Sequence, residues 1–210
     1  GTEEQLIVNY SLHQKASETD KFIPHMKKLR KIIKGKNPNR VIADGTYGSE
    51  ENYDFLKKEE IGSYLKYPGF YQEITGKAEK NRFGRINFRY QKQEDKIYCP
   101  EGRQMSVNRI EVKITENGYK QVNRIYKGNC RGCKYLSVCS KSARGRTVQL
   151  NKKLEKYRRL TKGNLCSPAG IELRKRRNVD VETVFGDIKQ NQGFRRFNLR
   201  GLEKVNTEFG

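Results

Sequence analysis

A chain of 210 residues of which 34% are hydrophobic can bury a core, though a thin one for its length. Its formal charge of +21, from 45 lysines and arginines against 24 acids, is far beyond what solubility needs and points to a polyanionic partner. Nucleic acid fits better than a membrane surface, because the bases are spread along the chain. No apolar run approaches the roughly 18 residues of a spanning helix, no signal peptide is read at the start, and five cysteines in an intracellular chain suggest metal ligands or free thiols before disulfides.

In chain order, residues 5–12 (QLIVNYSL) predict a strand from their β-branched and aromatic content. Thr19 or Asp20 is the expected cap of a helix whose apolar face is Phe22, Ile23, Met26, Leu29 and Ile33. GKNPN ends it. Val41, Ile42 and Ala43 predict a short buried strand that stops on Asp44 and turns through Gly45 and Gly48, and Ser49 caps a helix with Tyr53, Phe55 and Leu56 on its core face. Residues 61–67 predict the next strand. This β-α-β-α-β order argues for an α/β sheet with helical crossovers.

Residues 68–97 are charged and lack a sustained period, which predicts a loop or linker. From 98 to 150, short strand-like runs such as EVKI and QVNRIY are interleaved with cysteines, as in an inserted β-rich module. Residues 151–162 read as helical, and Ser167-Pro168 starts a long helix reaching about residue 190. Residues 1–67 and 151–210 are expected to form one domain around the 98–150 insertion.

Asp44 directly follows an apolar strand, where open α/β sheets place their ligands. The alternative is a turn aspartate bonding its own backbone. On the long helix, Val181, Phe185 and Ile188 make an apolar seam, Glu182 borders it, and Lys189 lies two turns along the same face. Glu182 among Arg174, Arg176, Arg177 and Lys189 is either a solvated charge network or a carboxylate reaching a metal while the bases reach phosphate. In GFRRFNLRGL, Phe194, Phe197 and Leu199 can anchor a loop from which Arg195, Arg196 and Arg200 face outward to phosphates. Cys130-Arg-Gly-Cys133 has the gap that lets two thiolates share one tetrahedral ion, with Cys99 and Cys139 completing a set of four for Zn²⁺. Cys166 reads as structural, and His13 and His25 receive no catalytic role.

The stretches VNYSLHQ, IADGTYGSEEN, the CPEG…CRGC…C series and VDVETVFGDIKQNQGFRRFNLRGLEKVN together resemble the catalytic domain of bacterial insertion-sequence transposases of the DDE class. The resemblance implies a ribonuclease-H-like mixed sheet with flanking helices, interrupted by a cysteine-containing insertion between the second and third acids. It makes Asp44 the second acid and Glu182 the third, both holding Mg²⁺ or Mn²⁺, with Lys189 on the helix that holds transposon-end DNA and Arg177 among the DNA-binding bases. It implies a bacterial, cytoplasmic and nucleoid-associated protein that forms homo-oligomers on paired ends. The family's first Asp precedes the strand matched by residues 5–12, so the chain is expected to be truncated at both ends and inactive alone. Asp20 reads better as a cap. The competing function is a non-enzymatic nucleic-acid-binding module built on a zinc ribbon, and convergence of Asp44 and Glu182 separates the two.

Overall fold

The computed structural model describes residues 7–14, 18–191, 193–194 and 196–209, and among these the side chains of Glu182, Val184, Phe185, Ile188, Lys189 and Phe209 lie outside the description. The chain is of mixed α/β class and divides into two units, residues 1–67 with 159–210, and residues 68–158.

In the first unit, helix α1 (Phe22–Ile32) buries Phe22 and Met26, and strand β1 (Arg40–Ala43) follows. A 3₁₀ turn at Gly45–Tyr47 leads to helix α2 (Glu50–Lys58), where the Ser49 hydroxyl accepts the Asn52 amide as the sequence predicts. Tyr53 and Leu56 enter the core from this helix. Strand β2 (Gly62–Leu65) returns parallel to β1, with Arg40 opposite Gly62 and Ala43 opposite Leu65. Helix α6 (Lys152–Cys166) ties to β2 through the Asn164 side-chain amide, which donates to the Ser63 carbonyl at 3.0 Å, and α7 (Pro168–Arg177), capped by Ser167, lies against β1. The long helix predicted to about residue 190 is present, but it widens into a π turn at Asn178–Glu182 before α8 (Thr183–Gln190). Helix α9 (Leu202–Phe209) closes the described chain.

The second unit begins with short helices α3 (Phe70–Ile74) and α4 (Lys77–Lys80). Its five-stranded antiparallel sheet is a meander of β3 (Arg89–Gln91), β4 (Lys96–Tyr98), β5 (Gln104–Ile114), β6 (Lys120–Gly128) and β7 (Thr147–Leu150), with helix α5 (Leu136–Cys139) between the last two. Phe88, Ile97, Met105, Tyr126, Val148 and Leu150 form its core. Asp95, at φ 50° between β3 and β4, accepts the hydroxyls of Tyr90 and Tyr126 and pairs with Arg124 and Lys152. These bonds, led by Lys152, hold its carboxyl well below the usual range.

Four local expectations fail. Residues 7–12 form no strand: Asn9 and Ser11 turn their polar groups to His25 of α1, through a bond to its carbonyl at 3.3 Å and to its Nδ1 at 2.8 Å. Neither Thr19 nor Asp20 caps α1. The Thr19 hydroxyl donates to the Thr46 carbonyl, Asp20 pairs with Lys21, and a 3₁₀ turn at Thr19–Lys21 starts the helix instead. Residues 68–97 are not an unstructured loop, since they hold α3, α4, β3 and part of β4, elements too short to show a period. β1 is also half-buried, not buried.

Two glycines are fixed by close approach. A Cβ on Gly48 would stand 2.2 Å from the Lys66 carbonyl oxygen, and one on Gly170 would stand 2.0 Å from that of Asn164. Gly48→Ala and Gly170→Ala should each lower unfolding free energy by about 2 kcal/mol or more in urea titrations. Gly163→Ala, on an open helical site, should raise it by up to about 1 kcal/mol.

Candidate functional site

Parallel pairing brings the ends of β1 and β2 together, so Asp44 and Lys66, each one residue past the last paired position, become neighbours. The Lys66 amide donates to the Ala43 carbonyl at 3.1 Å, which carries the pairing one step further. Asp44 is extended (φ −75°, ψ 173°), and its carboxylate makes no capping bond to the turn it opens, in contrast to the turn-aspartate alternative. Its side chain is 60% exposed, while that of Lys66 is 7% exposed, with Nζ 3.8 Å from Asp44 Oδ1.

Tyr47 stands on the turn after Asp44 and donates its hydroxyl to Glu18 at 2.8 Å. Burial, the Glu18 bond and the charges of Glu18 and Asp44 push its pKa up to about 12, against the opposing pull of Arg177. Tyr47 therefore senses both an acid past β1 and a base at the end of α7. Arg177, predicted as a DNA contact, is half-buried.

The backbone of Glu182 ends the π turn, whose insertions are frequent at functional sites. Its side chain, like that of Lys189 and the whole of Arg195, lies outside the described residues, as does the expected meeting of Asp44 and Glu182. Arg196 and Arg200 are exposed, on a loop braced by an edge-on contact of Phe194 and Phe197 with ring centroids 5.2 Å apart. Glu208 of α9 accepts the amides of Asn198 and Leu199, and these backbone bonds draw its pKa down. No sequence pattern announces that anchor.

Beside β1 lies a cavity of about 660 Å³ lined by Phe22, His25, Met26, Val41, Ala43 and Tyr47 among others. His25 is half-buried there, held by Asn9 and Ser11.

Cys99, Cys130, Cys133 and Cys139 line one small cavity of about 30 Å³ in the second unit. Two tight turns present the first three. The Gly102 amide donates to the Cys99 carbonyl at 2.9 Å, and the Cys133 amide to that of Cys130 at 3.1 Å. Arg103 clamps the second turn by donating to the carbonyls of Asn129, Arg131 and Gly132, and Arg146 donates to that of Cys139. Gly145, at φ 94°, leaves the space beside the Cys130 sulfur, because a Cβ there would sit 2.9 Å from it. Burial pushes the Cys139 thiol up while Arg146 draws it down. Among the described residues, no group of three or more His, Cys, Asp or Glu side chains stands in an arrangement that could hold an ion. Cys166, read as structural, is exposed.

A family model described as Transposase DDE domain matches residues 98–210, more than half of the chain. Neither the curated proteins nor the solved structures compared with the chain gave a match. Among the described residues, no helix is long and apolar enough to cross a membrane.

Burial first, then the charges of Lys28 and His13, hold the His25 pKa below its ordinary 6.5. The unfolded chain then binds this proton at higher pH than the folded one, so stability should fall as pH drops below about 6.5. Thermal unfolding from about pH 5 to 7.5 should show that slope, and His25→Gln should flatten it.

Proposed function

Because the chain belongs to the Transposase DDE domain family, we propose that it acts in DNA transposition as catalytic-domain sequence, with Asp44 and Glu182 as oxygen ligands of Mg²⁺ or Mn²⁺. The observation that carries this reading is Asp44 itself, an exposed carboxylate just past a parallel strand that makes no bond to its own turn, in a chain whose family match runs through Glu182. Carboxylate oxygens open to solvent suit a hard divalent ion, so the residue fits that use. The ions would supply charge stabilisation for attack of water or a 3′-hydroxyl on a phosphodiester.

The chain's own bases do the holding. Arg177, Lys189, Arg195, Arg196 and Arg200 take phosphates of the transposon ends and fix the DNA's position without reading its sequence. Lys66 and Tyr47 orient the end of β1. Asp44 and Glu182 would be two of the three acids that the family's name counts, and the chain binds duplex DNA through its bases. Homo-oligomers on paired ends follow from the same reading.

The sulfurs of Cys99, Cys130, Cys133 and Cys139 line one cavity and are the donor type that Zn²⁺ takes, although among the described residues they make no ion-holding arrangement, so zinc there requires them to close in around the ion. Zinc there would link the Cys99 turn to the Cys130 turn and serve the fold, not the chemistry.

Binding to duplex DNA, followed by fluorescence anisotropy, should weaken steeply with salt and be equally reduced for any sequence by Arg196→Ala or Arg200→Ala. Asp44→Ala should leave binding unchanged or slightly tighter, while Mn²⁺ binding is lost. Retention of Mn²⁺ binding in both Asp44→Ala and Glu182→Ala would favour a purely nucleic-acid-binding module. Metal analysis under reducing conditions should find about one zinc per chain, lost in Cys133→Ser together with a lower unfolding temperature. Five freely titrating thiols and no zinc would remove this part of the proposal.

A further inference from the structure

Strand β5 is 11 residues long, yet among the described residues its side away from β6 is paired only at Gln104 and Met105, where β4 lies against it. Beyond a register shift between Val107 and Arg109 it runs in regular register with β6, from Arg109 opposite Ile125 to Ile114 opposite Lys120. The outer edge of that stretch presents a row of backbone N–H and C=O groups, which is a template for another strand. Its side chains alternate between two faces. Ile110, Val112 and Ile114 share the face on which Val122 stands opposite Val112, and these four are 49% to 65% exposed. Arg109, Glu111 and Lys113 take the other face, where Arg109 and Glu111 form an ion pair at 2.7 Å.

An edge lined only by cations would repel a second strand like itself. Glu111, between Arg109 and Lys113, makes this edge complementary to itself instead. We propose that the outer edge of β5 pairs antiparallel with the same edge of a second copy of the chain, about a two-fold axis at Val112. In that register Val112 faces Val112, Ile110 faces Ile114 and Glu111 faces Lys113, the last two contacts each made twice by the symmetry. Neighbouring registers fail. Centring the pair on Glu111 would set that acid against itself and Arg109 against Lys113. Centring it on Ile110 would keep Arg109 with Glu111 but set Val112 against Asn108 and Ile114 against Ser106. Side-chain chemistry thus selects one register. The apolar stripe offers nothing to a phosphate, so DNA is a poor occupant of this edge. The pairing names a surface for the homo-oligomer of the proposed function, but it rests on β5 alone and needs neither DNA nor a metal.

Sedimentation equilibrium of the intact chain without DNA should show a concentration-dependent balance of monomer and dimer. Val112→Lys, which sets two ammonium groups at the axis, should weaken dimerisation by about tenfold or more and leave thermal unfolding unchanged. Glu111→Lys and Lys113→Glu should each weaken it about tenfold by creating two like-charge contacts, and the double variant, which exchanges the charges, should restore it. Under oxidising conditions Val112→Cys should give a disulfide-linked dimer beyond any formed by the wild type, because directly opposed Cβ atoms lie about 4.5–5.5 Å apart. Val122→Cys, one strand farther from the axis in each copy, should not. A chain that is monomeric at every concentration, a dimer indifferent to Val112→Lys, or a double variant no better than the single ones would overturn the proposal. If Val112→Lys fails to fold, the two charge variants carry the same decision. Duplex binding by fluorescence anisotropy keeps the readings apart: normal binding by a chain that does not dimerise would overturn this interface and leave the DNA-binding role standing.

Discussion

The parallel register of β1 and β2 is the constraint on which the candidate site depends. Four paired positions, from Arg40 opposite Gly62 to Ala43 opposite Leu65, fix which residues emerge together at the strand ends. Because successive side chains alternate faces, a slip of one residue would put Tyr67 or Leu65 beside Asp44 in place of Lys66. Several contacts pin the register from outside the pair. The Tyr53 hydroxyl donates to the Leu65 carbonyl at 3.1 Å, Asn164 holds the Ser63 carbonyl, and Gly48 fits so closely on the Lys66 carbonyl that no other residue fits there without movement. The helix that makes parallel return possible, α2, is itself started by Ser49. One hydroxyl cap, one glycine and two carbonyl bonds thus stand behind the placement of a single carboxylate.

The second unit solves a different problem with polar chemistry. Its sheet has a small core of six buried residues, and Asp95 gathers two tyrosine hydroxyls and two cations at the turn between β3 and β4. The cysteine turns are held by arginines bonded to backbone carbonyls, so Arg103 and Arg146 fix the loop geometry independently of anything the sulfurs do. A basic sequence is being used here as scaffold, and not all of the +21 charge is available to a partner.

What is legible in the sequence is what local chemistry decides. Ser49, the spacing of Tyr53 and Leu56, and Ser167 before Pro168 each announce an element through bonds within four residues, and each appears as expected. The four cysteines share a cavity, as their pattern suggests, although no metal-holding arrangement is present among the described residues. Local chemistry misleads where a distant partner outcompetes a near one. Thr19 has the chemistry of a cap and gives its hydroxyl to Thr46, and residues 7–12 have the composition of a strand and give their polar groups to His25. Lys66 escapes a reading of the sequence for the same reason, since only the pairing of two strands makes it a neighbour of Asp44. A charged residue just past the first predicted strand and another near the end of the second are the signal the chain offers.

The π turn at Asn178–Glu182 has a consequence for everything beyond it on the same helix. Such a turn holds about one residue more than an α turn, which advances the helical phase by about 100°. The bases of α7 and the residues of α8 therefore do not share one continuous stripe, despite seven-residue spacings that would align them on a regular helix. Deleting a single residue from this segment would restore regular winding at almost no change of composition, yet it would swing the far end of the helix by more than a quarter turn against the near end. The extra residue works as an angular offset written into the chain, and it lets one helix address two directions.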